Sequence, residues 1–271
     1  MFVFGHVLTT MDSNIFRDID LEAGEGVIGL MMPDMLSSHD WGYENCWNVK
    51  SISMDTKLIQ AHMIGDAVVH YGSRWNKPLT RKGWAYKNMG VIAKEYHQFF
   101  DNAKEAGFLI DETKPRDSIR GWAHSLVEYS IDQYLTDTRN LVVPFESIRR
   151  EFRKLENNIE EVNTSIQNIG IIPSKPYPSQ PLRYSGVISR SEEPDEFHLR
   201  GLASKFGLVE SPEVLNWTRS ILRRIIQDLG KDDLENVISE ITKVVNNPNP
   251  FGYPLPYLSW LETQGNHNKQ H

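Results

Sequence analysis

AHMIGDAVVHYG, residues 61–72, sets His62, Asp66 and His70 four residues apart, a spacing that lines all three along one face of a helix. The remaining positions, Ala61, Met63, Ile64, Ala67, Val68 and Val69, are apolar and predict a helix buried on nearly every side. A carboxylate held with two imidazoles in such a setting is costly unless its charge is compensated. A divalent cation compensates it directly.

The same logic recurs in GWAHSLVEYSIDQYL, residues 121–135, where His124, Glu128 and Asp132 stand at the same spacing among Trp122, Leu126, Val127 and Ile131. Two such helices facing each other would converge their ligands inside a bundle, as His and carboxylate pairs do in helical metal proteins. Nitrogen and oxygen ligands without thiolate suit zinc, iron or manganese. A single His-x-x-x-Asp pair is more often an ordinary ion pair or a satisfied core histidine. Two triplets, taken with His6 and Asp34, reverse that preference, because a core holding so many uncompensated titratable groups would scarcely be stable.

Outward from these two stretches, the pattern is helical throughout. Residues 2–36 are apolar with small residues, and GEGVIGLMMPDM predicts a helix stopped near Pro33. Residues 37–53 are polar and aromatic without periodicity, a predicted loop. Asp55 is a candidate N-cap for a helix over 58–71, and the breaker-rich stretch 72–83 follows it. Helices are predicted over 84–106, over 118–135 with Asp117 or Ser118 as cap, and over 145–169. The segment IIPSKPYPSQPLRYSG holds four prolines and reads as an extended linker or wrapping arm. Helical spacing returns over 194–206 and 212–245, before an irregular aromatic tail. Strand signals are few, so the expected class is all-α: a multi-helix bundle with a metal site between core helices. Residues 1–170 read as the metal-binding helical core, and 171–271 as a Pro-rich linker and additional helices packed on the same domain.

With 271 residues, 39% of them hydrophobic, the chain is long enough to bury a full core. A formal charge of −7 argues against broad attraction to a nucleic-acid backbone. The single cysteine, Cys46, cannot form an internal disulfide and reads as a small buried hydrophobe. The first residues lack the features of a secretory signal, and no apolar run approaches the roughly 20 residues that span a bilayer. A cytoplasmic protein is the expectation.

The candidate ligands stand in the order Met1, Gly5-His6, Pro33-Asp34, His39, His62, Asp66, His70, His124 and Glu128. That series resembles the zinc-dependent phospholipases C and the related zinc single-strand nucleases, which are all-helical enzymes with a trinuclear zinc site. The phrase HMIGDAVVHYG looks like the variant of that superfamily typified by phosphatidylinositol-glycan-specific phospholipase D. The resemblance covers roughly residues 1–135 and implies two to three zinc ions. It would assign Asp34, His39, His62 and Asp66 to one ion and His70, His124 and Glu128 to another. A third would take Met1 through its amine, His6, and Asp66 as a bridge. Asp34 would also serve as general base or water-orienting group.

Two positions depart from the family pattern. His39 lies five residues after Asp34, closer than the family usually places it, so that Asp40 could substitute or neither bind. Met1 stands where the family has a tryptophan exposed by signal cleavage. Asp132 lies outside the motif, as a partner orienting a ligand or a capper of a core contact.

The implied activity is metal-dependent hydrolysis of a phosphate ester, most simply a phosphodiester, on a small-molecule or lipid-like substrate. The alternatives are a helical di-iron redox enzyme and a non-catalytic metal-stabilised binding module. The aromatics Trp41, Tyr43, Trp47, Trp75, Trp84 and Tyr86 either pack the core or wall an apolar pocket, core packing being the commoner role. His97, His198, His267 and His271 read as ordinary surface or core histidines.

Overall fold

The run from Trp122 to Leu135 is buried at every position but His124, so the helix that carries it must be wrapped on all sides. In the computed structural model, which describes residues 3–12, 30, 54–72, 83–110, 119–157 and 186–246, that helix spans Ile119–Thr138. Around it stand α1 (Val3–Met11), α2 (Met54–Tyr71), α3 (Trp84–Glu95) and α4 (Phe99–Glu105). The wrapped helix itself is α5. After it come α6 (Val142–Asn157), α7 (Pro194–Phe206), α8 (Pro212–Leu229) and α9 (Lys231–Val245). Among the described residues every regular element is a helix, and the single extended pairing is an isolated antiparallel bridge between Leu109 and Leu208. The all-α expectation holds.

Helix α5 packs against α1, α3, α7 and α8, while α2 is held between α3 and α9 and also touches α1. The buried side of α2 is the one its apolar residues predict, with Leu58, Ala61, Ile64, Val68 and Val69 all at most 3% exposed. The helices beyond the Pro-rich segment are therefore not remote from the half that carries the candidate ligands. Helix α9 lays Leu234, Val237, Ile238 and Ile241 inward and contacts both α1 and α2.

Four boundaries differ from the sequence expectation. The single helix expected over 84–106 is two, because the chain turns at residues 96–98, where Tyr96 leaves helical geometry at ψ 26°. The turn sets Phe99 against Trp122, Phe206 and Trp217 at ring separations of 5.9, 5.5 and 5.0 Å, contacts worth about 0.5–1.5 kcal/mol each beyond their buried area. The helix expected over 212–245 divides at Gly230, whose φ of 85° is a conformation that disfavours any residue with a Cβ. Asp55 lies inside α2, one residue past its start, and is not its cap. Helix α6 begins at Val142, earlier than expected, and residues 158–169 of its predicted extent lie outside the described residues.

Ser211 caps α8 by accepting a hydrogen bond from the Val214 N–H, with Pro212 as the first helical residue. Among the described residues no helix is long and apolar enough to cross a membrane.

Candidate metal centre

Helix periodicity delivers what the spacing predicts: His62, Asp66 and His70 form one stripe on α2, and His124 and Glu128 a facing pair on α5. The stripe on α2 does not make one site. It is divided between two clusters, His6 with His62 and Asp66, and His70 with His124 and Glu128, and within each cluster the ligand atoms lie within 4.8 Å of one another.

In the first cluster the carboxylate is shared. Asp66 Oδ1 lies 3.3 Å from His6 Nε2, and Oδ2 lies 3.5 Å from His62 Nε2. The two imidazole rings stack at 3.7 Å with 18° between their planes. Such close stacking is possible because the α2 residue beneath His6 is glycine. A Cβ on Gly65 would meet His6 Nδ1 at 3.1 Å and Cε1 at 3.2 Å, tighter than ordinary van der Waals contact. His6 and His62 are 1% exposed, but Asp66 is 31% exposed, so the cluster opens to solvent on its carboxylate side.

In the second cluster the tautomer can be assigned. His70 Nδ1 lies 2.7 Å from the Asp66 carbonyl oxygen, an acceptor only, so Nδ1 carries a proton and donates it. A neutral His70 therefore presents the Nε2 lone pair toward His124 Nε2 at 2.6 Å and Glu128 Oε1 at 3.1 Å. Glu128 Oε1 is also 3.2 Å from His124 Nε2. His124 Nε2 and Glu128 Oε1 thus face the His70 lone pair, and the contact is satisfied by a proton on either imidazole Nε2 or by a metal ion.

Donor atoms around a tetrahedral ion at about 2.0–2.2 Å stand roughly 3.3–3.6 Å apart. The pairs at 3.1, 3.2, 3.3 and 3.5 Å are close to that spacing, and the His70–His124 pair at 2.6 Å must open to admit an ion. The residues present fit a metal ion at each cluster. Each offers three protein ligands among the described residues, the number that leaves a coordination position for water or substrate.

The electrostatics agree with a cation-binding role. Burial works against ionisation of Asp66, but His62 and His6 outweigh it and hold the carboxyl well below its ordinary value. Burial likewise opposes ionisation of Glu128, yet the carboxyl is held well below its ordinary value by the charge of the chain's N-terminus and by His124 and His70. For His70 burial lowers the pKa, yet the hydrogen bond and charge of Glu128, helped by Asp66, raise it overall. Both carboxylates are thus ionised at neutral pH before any ion enters.

Tyr86 on α3 covers the second cluster, with its ring parallel to His124 at 5.9 Å and 10° and tilted over His70 at 5.7 Å. His124 remains 29% exposed and His70 14%. Composition gave no reason to single out Tyr86 among the aromatics, since its position depends on α3 lying beside both helices that carry the candidate ligands. Gly65 was equally silent. A glycine inside a helical pattern signals close approach, but only the tertiary structure shows that a histidine ring is what approaches.

Three expected site residues, Met1, Asp34 and His39, lie outside the described residues. Asp132 binds in neither cluster. It accepts hydrogen bonds from the backbone of α1. His97 is an ordinary surface residue, its Nδ1 2.9 Å from the Lys94 carbonyl. His198 is buried on the far face of α5, with Nε2 3.1 Å from Gln133 Oε1, and burial pushes its pKa down to about 4, which keeps it neutral. Set beside known proteins, the chain matches no family model, no curated protein and no solved structure.

Proposed function

We propose that this chain is a zinc-dependent hydrolase of phosphate esters, acting on a phosphodiester of small-molecule or lipid-like character. One observation carries the reading: among the described residues two clusters of three His/carboxylate ligands adjoin along α2, each deeply seated yet open at one member, Asp66 at 31% and His124 at 29% exposed. A purely structural zinc site is closed by four protein ligands, whereas a catalytic one keeps an open position. Four histidines against two carboxylates form a nitrogen-rich set that favours zinc over the carboxylate-rich surroundings of di-iron bundles. Phosphate esters as the substrate class rest on the resemblance to zinc-dependent phospholipases C.

Paired divalent ions supply an acidified water and positive charge against the phosphate oxygens. The chain's own residues do the rest. Asp66 and Glu128, both ionised, hold the charge of the site in place. The Asp66 carbonyl fixes His70 in the tautomer whose Nε2 faces the centre. Asp34 is the proposed water-orienting carboxylate, and Tyr86 forms an aromatic wall beside His124 on which an organic substituent of the ester can rest.

The test is direct. Purified protein should hold two or more equivalents of zinc and hydrolyse bis(p-nitrophenyl) phosphate, losing the activity to a chelator and regaining it with zinc. Protein that folds without metal and takes none up removes the reading. Activity that requires iron and oxygen assigns the site to redox chemistry instead.

A further inference from the structure

Helix α5 carries His124, Glu128 and Asp132 on one stripe, and the metal clusters use only the first two. Asp132 is 0% exposed. Its Oδ1 accepts from the Phe4 N–H at 3.0 Å and from the Gly5 N–H at 3.1 Å, bonds that cross 128 and 127 residues of chain. These amides belong to the first turn of α1, where helical geometry provides no acceptor within the helix itself. The next residue after Gly5 is His6.

We propose that Asp132 is a positioning residue for the first cluster: by gripping the Phe4 and Gly5 amides it fixes the rotation and register of α1 and so aims His6 Nε2 at Asp66. The inference rests on the metal reading of the clusters. Apolar contacts of Val3, Phe4 and Val7 also dock α1, but apolar attraction is non-directional and by itself tolerates small shifts and rotations. Hydrogen bonds to one carboxylate oxygen do not. A slip of one residue turns a helix by about 100° and shifts it about 1.5 Å, and His6 has no room for either. Its ring is confined between the His62 ring at 3.7 Å and the space that a Gly65 Cβ would occupy. Helix α5 therefore organises both clusters, the second through its own ligands and the first through α1.

Burial pushes the Asp132 carboxyl up to about 8 despite the backbone N–H donors of Gly5, Val3 and Phe4, which lower it. Asparagine is accordingly a close mimic, keeping one acceptor oxygen and no charge. Cobalt(II) uptake, followed by its visible absorption, should show two ions in metal-free wild-type protein reloaded with cobalt. Asp132→Ala should weaken one of them roughly 10–100-fold, the usual effect of losing a residue that orients a ligand. His6→Ala should weaken the same ion, and Asp132→Ala/His6→Ala no further. Asp132→Asn should restore wild-type uptake, which a residue needed only for its charge would not allow.

A second measurement needs no variant. If α1 docking and ion binding at His6 are linked, each strengthens the other, so cobalt should slow hydrogen exchange of the Phe4 and Gly5 amides in the wild type. Two tightly held ions in Asp132→Ala, or amide exchange indifferent to cobalt, would overturn the positioning role while leaving the metal reading intact. Wild-type protein that binds no cobalt overturns both.

Discussion

The cluster of His70, His124 and Glu128 is closed by two long helices, α2 of 18 residues and α5 of 20. The cluster of His6, His62 and Asp66 depends on α1, a helix of nine residues. Both use two histidines and one carboxylate, but they are assembled by different means. The second is anchored where α5 is buried around its circumference and cannot rotate without repacking the core. The first needs an additional grip on α1 from Asp132 and an absent side chain at Gly65. Isolated helices of such length are marginal in water, so α1 has its shape only in the docked state. On the proposed metal reading, affinity at the first cluster is therefore a docking property, and at the second it is a packing property.

The largest effect should come from removing Glu128, the charge on which the second cluster turns. With Glu128→Ala the His70 and His124 nitrogens, 2.6 Å apart, lose the carboxylate that both face. That cluster should lose its ion, and the metal-free protein about 3 kcal/mol, the typical cost of breaking a buried charge pair from one side. Metal analysis and urea unfolding in chelator read the two losses separately. The first cluster should keep its ion. A variant with unchanged metal content and unchanged unfolding midpoint would contradict the assignment of Glu128 as a ligand.

That asymmetry also explains which parts were legible in the sequence. His62, Asp66, His70, His124 and Glu128 could be picked out because helical spacing and an apolar background are local properties, written within about ten residues. Their division into two clusters was not legible by spacing alone: the stripe on α2 reads as one ligand set, and only the placement of α1 and α5 on either side splits it between Asp66 and His70. The roles of Gly65, Asp132 and Tyr86 depend on which helix lies opposite, information held in packing and not in periodicity. The break at residues 96–98 was hidden for a related reason. Phe99 and Phe100 continue an acceptable helical pattern, and the local sequence does not reveal that Trp122, Phe206 and Trp217 await them.

A smaller and more selective effect is expected at Gly65. Alanine is a better helix former than glycine by about 1 kcal/mol, so Gly65→Ala should leave α2 intact or favour it. The new methyl would press on His6 at 3.1 Å and turn its ring away from Asp66. Affinity at the first cluster should fall roughly 10–100-fold, as when a ligand's orientation is lost, while the second keeps its ion and the unfolding midpoint does not drop. An equal loss at both clusters would mean that they are not independently assembled. No loss at either would mean that His6 is not a ligand.

The smallest effect is a slope, and its sign separates His70 from the two carboxylates. In metal-free protein the His70 pKa is raised above its ordinary 6.5: burial lowers it, and the hydrogen bond and charge of Glu128, with Asp66 beyond, overcome that. The folded state therefore holds this proton more tightly than the unfolded chain does. The stability it contributes is fully present below pH 6.5 and is lost as the pH rises through the raised value. Asp66 and Glu128 have depressed values and behave oppositely, contributing above the ordinary carboxylate range and losing that contribution as the solution is acidified through their folded values. Asp132, pushed up to about 8, adds a downward slope of its own between its ordinary 3.8 and that value. This slope is common to any pair of proteins that both retain Asp132. The difference between wild type and His70→Gln therefore isolates the histidine. Urea midpoints in chelator should show the wild-type advantage shrinking as the pH is raised above 6.5. Metal uptake should run the other way, improving over the same interval, because the proton on His70 and the ion at the second cluster compete for one lone pair. A difference curve that is flat from pH 6 to 9 would mean that His70 holds no proton against Glu128. The 2.6 Å approach to His124 would then have to be bridged by a proton on His124 in its place.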